Sequence, residues 1–292
     1  MKTRSMISFD CAIKRLLRQK ANFEILEGFL SELLHRKIII KSIGESEGNK
    51  TDETGKINRV DILVEADDRE LVIIELQYDS VAEYYHRMLY GVSKVITDYM
   101  HTGDLYSNVR KVYSVNIVYF ELGGDDYVYH GFTRFTGLHT HTELQLTAAR
   151  QQLYSKTVAG DLYPEYYIIK VRGFDDVAKN TLDEWIYYLK NNRIEDHFKA
   201  KGLDRAKELL LFDNLSDAEK EQYLRAIDDK LLSDSAIRTA TMEGRIEGEV
   251  IGLGKAVING AGAGYSIEVI SAFTGLTAGQ ITEILKRHGC HL

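Results

Sequence analysis

The sequence predicts an α/β fold followed by a helical C-terminal region, and three patterns support this prediction. Apolar residues recur about every 3.6 positions over residues 8–35, which is typical of helices. Apolar runs of strand length follow at about 57–65, 70–78 and 111–120. From Phe174 onward the spacing returns to that of helices. Helices and strands that alternate along a chain indicate a sheet covered by helices.

The remaining elements are predicted in chain order. Residues 8–35 form one helix, or two with a break near residues 20–22, and residues 81–101 form another. Additional strands are predicted at 38–43, 127–135, 142–146 and 166–171. Ser216, with Glu219 three residues later, is predicted to cap a late helix. The predicted organisation is a core over 1–174, a helical accessory region over 175–235 and a tail over 236–292.

Two apolar strand segments each contain a carboxylate, Asp61 in residues 59–64 and Glu75 in residues 71–77. Turn-forming residues 66–69 lie between them, so a hairpin would place Asp61 opposite Glu75 or one residue away. Two buried carboxylates repel each other and lose hydration, at a cost of several kcal/mol per ion unless a cation lies between them. Such hard oxygen ligands favour Mg²⁺ or Mn²⁺. Gln77 follows Glu75 by two residues and leaves the same face of the strand.

Composition narrows the classes of function. The net charge of −7 provides no general attraction to nucleic acid, although a local basic rim with a metal would suffice for a nuclease. Phosphate loops of the GxxxxGK[ST] type and Gly-x-Ser-x-Gly elbows do not occur in the sequence, which leaves ATPase and serine-hydrolase functions unsupported. We expect no membrane partner, because no run approaches about 20 apolar residues. The polar N-terminus and two distant cysteines predict a cytoplasmic location.

The order of these motifs resembles the PD-(D/E)XK nuclease superfamily, and within it the Rpn-type recombination-promoting nuclease and transposase family. Asp61 followed by Glu75-Leu76-Gln77 is similar to the active-site pattern of the superfamily. Four other segments are similar to segments of the Rpn-type family: Phe9-Asp10-Cys11-Ala12-Ile13-Lys14-Arg15-Leu16-Leu17, Phe29-Leu30-Ser31-Glu32-Leu33-Leu34, Tyr84-Tyr85-His86-Arg87-Met88-Leu89-Tyr90 and Lys111-Val112-Tyr113-Ser114-Val115-Asn116-Ile117-Val118-Tyr119-Phe120. The resemblance covers roughly residues 8–120 firmly and extends more loosely to Trp185.

This resemblance implies a restriction-endonuclease-like fold, with a mixed central sheet flanked by helices, and Mg²⁺-dependent hydrolysis of DNA linked to transposition or recombination. Asp61 and Glu75 would hold the metal, with the Leu76 carbonyl as a possible further ligand. Asp10 is the preferred additional acid, while Glu27, Glu45 and Glu47 are alternatives. Mn²⁺ can replace Mg²⁺ in such a site.

The family usually has a lysine where this chain has Gln77. An amide does not change protonation near neutral pH, so Gln77 can orient a water molecule but cannot act as its base. Arg87 and Lys94 lie two turns apart on the next predicted helix and are candidates to supply the positive charge. Arg87 could instead hold a phosphate oxygen, and either residue could simply pair with a surface acid.

An alternative function remains open, a nuclease-like scaffold that binds DNA or protein without cutting and self-associates through its tail. The substitution at Gln77 favours it and the Asp61–Glu75 pair opposes it.

The tail contains Gly244, Gly248 and Gly252, which recur every four residues. It is therefore either a helix that another backbone can approach, giving a homo-oligomer, or a flexible linker. Two short helices near residues 266–288 have a helix-turn-helix-like outline.

Overall fold

The computed structural model describes residues 22–44, 62–66 and 69–289. The chain divides into two compact units, Met1–Lys220 and Glu221–Leu292. The strands are β1 (Ile40–Gly44), β2 (Ile62–Ala66), β3 (Leu71–Gln77), β4 (Val112–Val118), β5 (Val128–Gly131) and β6 (Glu165–Lys170). The α-helices are α1 (Phe23–Leu33), α2 (Tyr84–Asp98), α3 (Ala148–Tyr154), α4 (Thr181–Asn191), α5 (Leu203–Leu209), α6 (Asp217–Gly262), α7 (Ile267–Thr274) and α8 (Ala278–Arg287).

The first unit is built on a mixed six-stranded sheet in the order β1-β2-β3-β4-β6-β5. The three central strands β3, β4 and β6 run parallel, whereas β1, β2 and β5 pair antiparallel with their neighbours. Strands β3 and β4 are buried almost throughout, which explains why both read as continuous apolar runs. The predicted mixed sheet with flanking helices is confirmed.

The predicted hairpin is also confirmed for its described part. β2 and β3 are antiparallel, with Ile62 opposite Ile74 and Leu63 opposite Ile73. The turn is closed by the amide of Arg69, which donates to the carbonyl of Ala66 at 3.1 Å. Residues 67 and 68 of the predicted turn, and residues 57–61 of the first predicted strand, lie outside the described residues.

Helix α2 connects the parallel strands β3 and β4 and covers one face of the sheet. Its buried residues Val92 and Val95 pack with Leu71, Ile73 and Val112 in one apolar cluster. Nearer its start, Tyr84 and Met88 pack with Val118 and Phe120. One face of the sheet is therefore the α2 face, and it includes the odd-numbered residues of β3 and the even-numbered residues of β4.

Helices α1 and α4 pack against each other through two fully buried rings. The centroids of Phe29 and Trp185 are 5.6 Å apart in an edge-to-face arrangement. Gly28 is required in α1 because a Cβ there would lie 2.1 Å from the carbonyl oxygen of Lys201. Helix α1 is the described part of the helix predicted for residues 8–35, and the earlier residues lie outside the described part.

One predicted strand was wrong and another was too long. Residues 142–146 form isolated bridges, Glu143 with Thr136 and Gln145 with Val158, in place of a ladder. Leu144 is exposed, so the apolar and polar alternation that suggested a strand does not produce a buried face. The strand predicted for residues 127–135 is limited to β5, whose pairing with β6 ends at Gly131.

The predicted helical C-terminal region is confirmed. Helix α6 is 46 residues long and continues through Gly244, Gly248 and Gly252, which settles the tail as helical over that stretch. Ser216 and Glu219 exchange the predicted capping hydrogen bonds at its start. Within the second unit, the end of α6 packs on α7 and α8 through Val257, Ile270, Ile281 and Leu285.

None of the described helices combines the length and the mean hydropathy that a crossing of the bilayer needs.

Candidate active site

Glu75 is a buried carboxylate near the carboxyl end of β3. Its exposed fraction is 5%, and its neighbours along the strand are Ile74 and Leu76, which are also buried. Because Leu71 and Ile73 pack against α2, strand alternation places Glu75 and Gln77 on the same α2 face. The sequence-based prediction that these two side chains share a face agrees with the geometry of β3.

On the neighbouring strand, Asn116 is the parallel partner of Glu75. The Asn116 side chain is fully buried and lies on the α2 face, like Val112 and Val118 of the same strand. Its Nδ2 atom donates to the carbonyl and the hydroxyl of Ser114, at 3.0 and 2.9 Å, and to the carbonyl of Tyr167 at 3.2 Å. An amide group is therefore fixed directly beside the buried carboxylate.

Arg87 and Gln77 meet at the carboxyl end of β3. A guanidinium N–H of Arg87 donates to Oε1 of Gln77 at 3.4 Å, a long hydrogen bond. Nε2 of Gln77 donates to the carbonyl of Asp79 at 3.2 Å, which fixes the orientation of the amide. The structure thus places the guanidinium of Arg87, a residue of α2, against Gln77, two residues after Glu75.

Lys94 lies two turns further along α2 and has a different environment. Its ammonium donates to Asp98 at 2.7 Å, and both side chains are about half exposed. Leu76 is buried at 7% exposure within β3. Among the alternative acids, Glu27 accepts a hydrogen bond from the backbone amide of Ile40 at 2.8 Å, so it serves the start of β1.

Several predicted site residues cannot be placed. Asp61 and Asp10 lie outside the described residues, as do Glu45 and Glu47. Within the described ranges 22–44, 62–66 and 69–289, no group of three or more His, Cys, Asp or Glu side chains is arranged to hold a metal ion. The ligand set predicted around Asp61 therefore stays a prediction.

A second group of charges, centred on the buried Glu70, lies at the other end of the parallel strands. Glu70, just before β3, pairs with Arg36 and with Lys156 at 3.6 Å, and accepts a hydrogen bond from the Tyr113 hydroxyl at 3.5 Å. Burial and the nearby Glu70 charge raise the pKa of Tyr113. We call these four residues the Glu70 cluster. Tyr113 is an odd-numbered residue of β4, so its ring lies on the face opposite α2.

A related network surrounds Glu165 at the start of β6. Its carboxylate pairs with Lys111 and His130, each at 2.8 Å. Burial opposes ionisation, but the hydrogen bonds from these two side chains outweigh it and lower the pKa of Glu165. Burial and the Glu165 charge raise the pKa of the adjacent Tyr167 to about 12. These carboxylates are neutralised by side chains of the protein.

Two buried residues near Glu75, Asn116 and Tyr84, were not among the site residues predicted from the sequence. The Tyr84 hydroxyl, on a side chain only 1% exposed, donates to Oδ1 of Asn116 at 3.4 Å. The available clue was a lone amide in the apolar segment Val112–Val118, since buried polar groups require partners. Its closeness to Glu75 depends on the parallel register of β3 and β4, which no local pattern reveals.

Among the comparisons with known proteins, the family models give a match. A family model described as PD-(D/E)XK nuclease family transposase matches residues 7–240, most of the chain. No curated protein and no solved structure matches the chain.

Proposed function

The chain belongs to the PD-(D/E)XK nuclease family of transposases, and from that premise we propose that it is a metal-dependent endonuclease that hydrolyses phosphodiester bonds of DNA during transposition or recombination. The observation that most supports this proposal is the setting of Glu75. A carboxylate with 5% exposure lies within the apolar strand β3, one residue before the carboxyl-terminal Leu76 and Gln77. Gln77 in turn contacts Arg87.

We propose that Asp61 supplies the second carboxylate. Ile62 pairs with Ile74 in the hairpin, and the residues next to these two in the sequence are Asp61 and Glu75. Leu63 and Ile73, which also pair, both pack on the α2 side, and strand alternation relates Asp61 to Leu63 as it relates Glu75 to Ile73. The two carboxylates and the Leu76 carbonyl would form a set of hard oxygen donors that suits Mg²⁺ or Mn²⁺. Asp10 is proposed as a further ligand.

When bound, Mg²⁺ would lower the pKa of a water molecule and balance the negative charge on the phosphate. Asp61 and Glu75 would hold the cation, and the fixed amide of Gln77 would orient the attacking water. Arg87 would donate to a phosphate oxygen, for which its planar guanidinium is suited. We propose Arg87 for this role before Lys94 because it contacts Gln77, whereas Lys94 pairs with Asp98.

Plasmid cleavage tests the proposal. Supercoiled DNA is incubated with Mg²⁺ or Mn²⁺ and with the wild-type protein, with Glu75→Ala, or with Glu83→Ala as a control at an exposed acid just before α2. We expect wild type and Glu83→Ala to nick the plasmid and Glu75→Ala to lose this activity. Nicking that survives Glu75→Ala would mean a contaminant or a different site.

A second candidate function is a scaffold that binds DNA or protein without cutting and self-associates through its tail. Two features favour it, Gln77 in the usual lysine position and the exposed apolar side chains along α6, which include Leu231, Met242, Ile246 and Val250. Such side chains at helical spacing suit a contact with a second copy. This hypothesis predicts that the wild-type protein does not cleave DNA and that light scattering detects an oligomer. The substitution Ile246→Glu should weaken this oligomer, whereas the exposed control Glu247→Gln should leave it unchanged.

A further inference from the structure

Asn116 lies beside Glu75 on the neighbouring strand of the sheet. The two residues are register partners on parallel strands and share the α2 face. Asn116 is 0% exposed, so its polar atoms depend on partners within the protein. Its Nδ2 atom is held from the sheet side by Ser114 of its own strand and by the Tyr167 carbonyl of β6. This arrangement fixes the amide plane.

With Nδ2 committed to the sheet, the Oδ1 atom of Asn116 is left to accept from α2. The Tyr84 hydroxyl donates to it at 3.4 Å across a region that excludes water, since Tyr84 is 1% exposed. The bond is long, but both groups are buried, where water does not compete for it. The Tyr84 ring is also held edge-on by Phe120, with centroids 5.3 Å apart. The first residue of α2 is therefore anchored to the strand beside Glu75.

Arg87 lies three residues, nearly one turn, beyond Tyr84 on the same helix. Because the helix is rigid over one turn, the anchor at Tyr84 fixes the backbone position from which the Arg87 side chain extends. That guanidinium contacts Gln77, two residues after Glu75. A continuous path thus runs from β6 through Asn116 and Tyr84 to Arg87.

We propose that Asn116 and Tyr84 are positioning residues of the Glu75 site, which hold the first turn of α2 so that Arg87 reaches Gln77 and the phosphate. This inference rests on the proposed nuclease function. Neither residue needs to touch DNA. Both act through Arg87, and their contribution therefore disappears when Arg87 is removed.

A double-mutant cycle tests this coupling. Tyr84→Phe keeps the ring and its packing but removes the hydroxyl, and we expect it to lower the rate constant of Mg²⁺-dependent cleavage about 10-fold. In an Arg87→Gln background the same substitution should change the rate by less than about 2-fold. Asn116→Leu should show the same dependence on Arg87. Thermal unfolding of every variant distinguishes a variant that fails to fold from a folded variant in which Arg87 is displaced.

Tyr113→Phe is the matched control, because it removes a buried hydroxyl of β4 on the opposite face of the sheet. It should leave cleavage within about 2-fold of wild type. If Tyr84→Phe costs the same factor with and without Arg87, or if Tyr113→Phe costs as much, the positioning role is overturned while the nuclease function stands. If the wild type does not cleave with Mg²⁺ or Mn²⁺, the proposed function fails, and the inference fails with it.

Discussion

Glu70 and Glu75 stand five residues apart around the same strand and are equally buried, at 5% exposure each, yet their surroundings differ. Glu70 meets Arg36, Lys156 and the Tyr113 hydroxyl, so the protein itself supplies its positive charge. The strand neighbour of Glu75 is the neutral amide of Asn116. We propose that Glu75 shares a metal ion with Asp61. The comparison teaches that burial alone does not separate a structural acid from a candidate ligand, so the proposal for Glu75 depends on its position on the α2 face, two residues before Gln77.

The same substitution should therefore affect DNA cleavage very differently at the two acids. Glu75→Gln is expected to reduce metal-dependent cleavage roughly 1,000-fold, because an amide is a poor ligand for Mg²⁺ and leaves charge in the transition state unbalanced. Glu70→Gln should leave cleavage within about 3-fold of wild type. Initial rates on a supercoiled plasmid measure both. Equal losses for the two variants would remove the distinction between the acids.

The cations of α2 offer a second contrast. Arg87→Gln should lower the cleavage rate about 100-fold, because the positive guanidinium proposed to bind a phosphate oxygen is lost. Lys94→Gln should change it by less than about 2-fold, since an exposed pair with Asp98 contributes little. The same plasmid assay applies. A larger loss at Lys94 than at Arg87 would assign the phosphate contact to Lys94.

Glu70→Gln should lower the stability of the fold although it leaves cleavage nearly unchanged. Glu70→Gln removes the carboxylate charge that pairs with Arg36, and we expect a loss of about 2 kcal/mol in the free energy of unfolding, reduced from the value for a fully buried pair because Arg36 is about one-third exposed. Urea denaturation followed by circular dichroism measures it. Unchanged stability would show that the Glu70 cluster is not a structural ion network.

A smaller effect is expected at acid pH from Glu165. Its folded-state pKa lies below the ordinary value of 4.5, so its contribution to stability is present above about pH 4.5 and is lost as the pH falls through the folded-state pKa. The melting temperature of Glu165→Gln should therefore decrease less than that of wild type between about pH 5 and pH 3. Calorimetry across this range measures the difference. Parallel curves for the two proteins would contradict the prediction.

The sequence predicted local elements well and long-range neighbours poorly. The hairpin, the buried strand β3 and helix α2 follow from local spacing and turn residues, so Glu75, Gln77 and Arg87 were found together. Asn116 was missed because its place beside Glu75 depends on a parallel pairing formed across the whole of α2. The segment 142–146 misled for a related reason, since alternation of apolar residues makes a strand only where a partner strand continues beside it.

The central claim, that Asp61 and Glu75 hold one cation together, is tested most directly by Mn²⁺ binding. Isothermal titration compares wild type, Asp61→Asn, Glu75→Gln and the double variant at fixed pH. We expect wild type to bind Mn²⁺, each single variant to lose that binding, and the double variant to lose nothing more. Binding by Asp61→Asn or Glu75→Gln with the affinity of wild type would contradict the shared site.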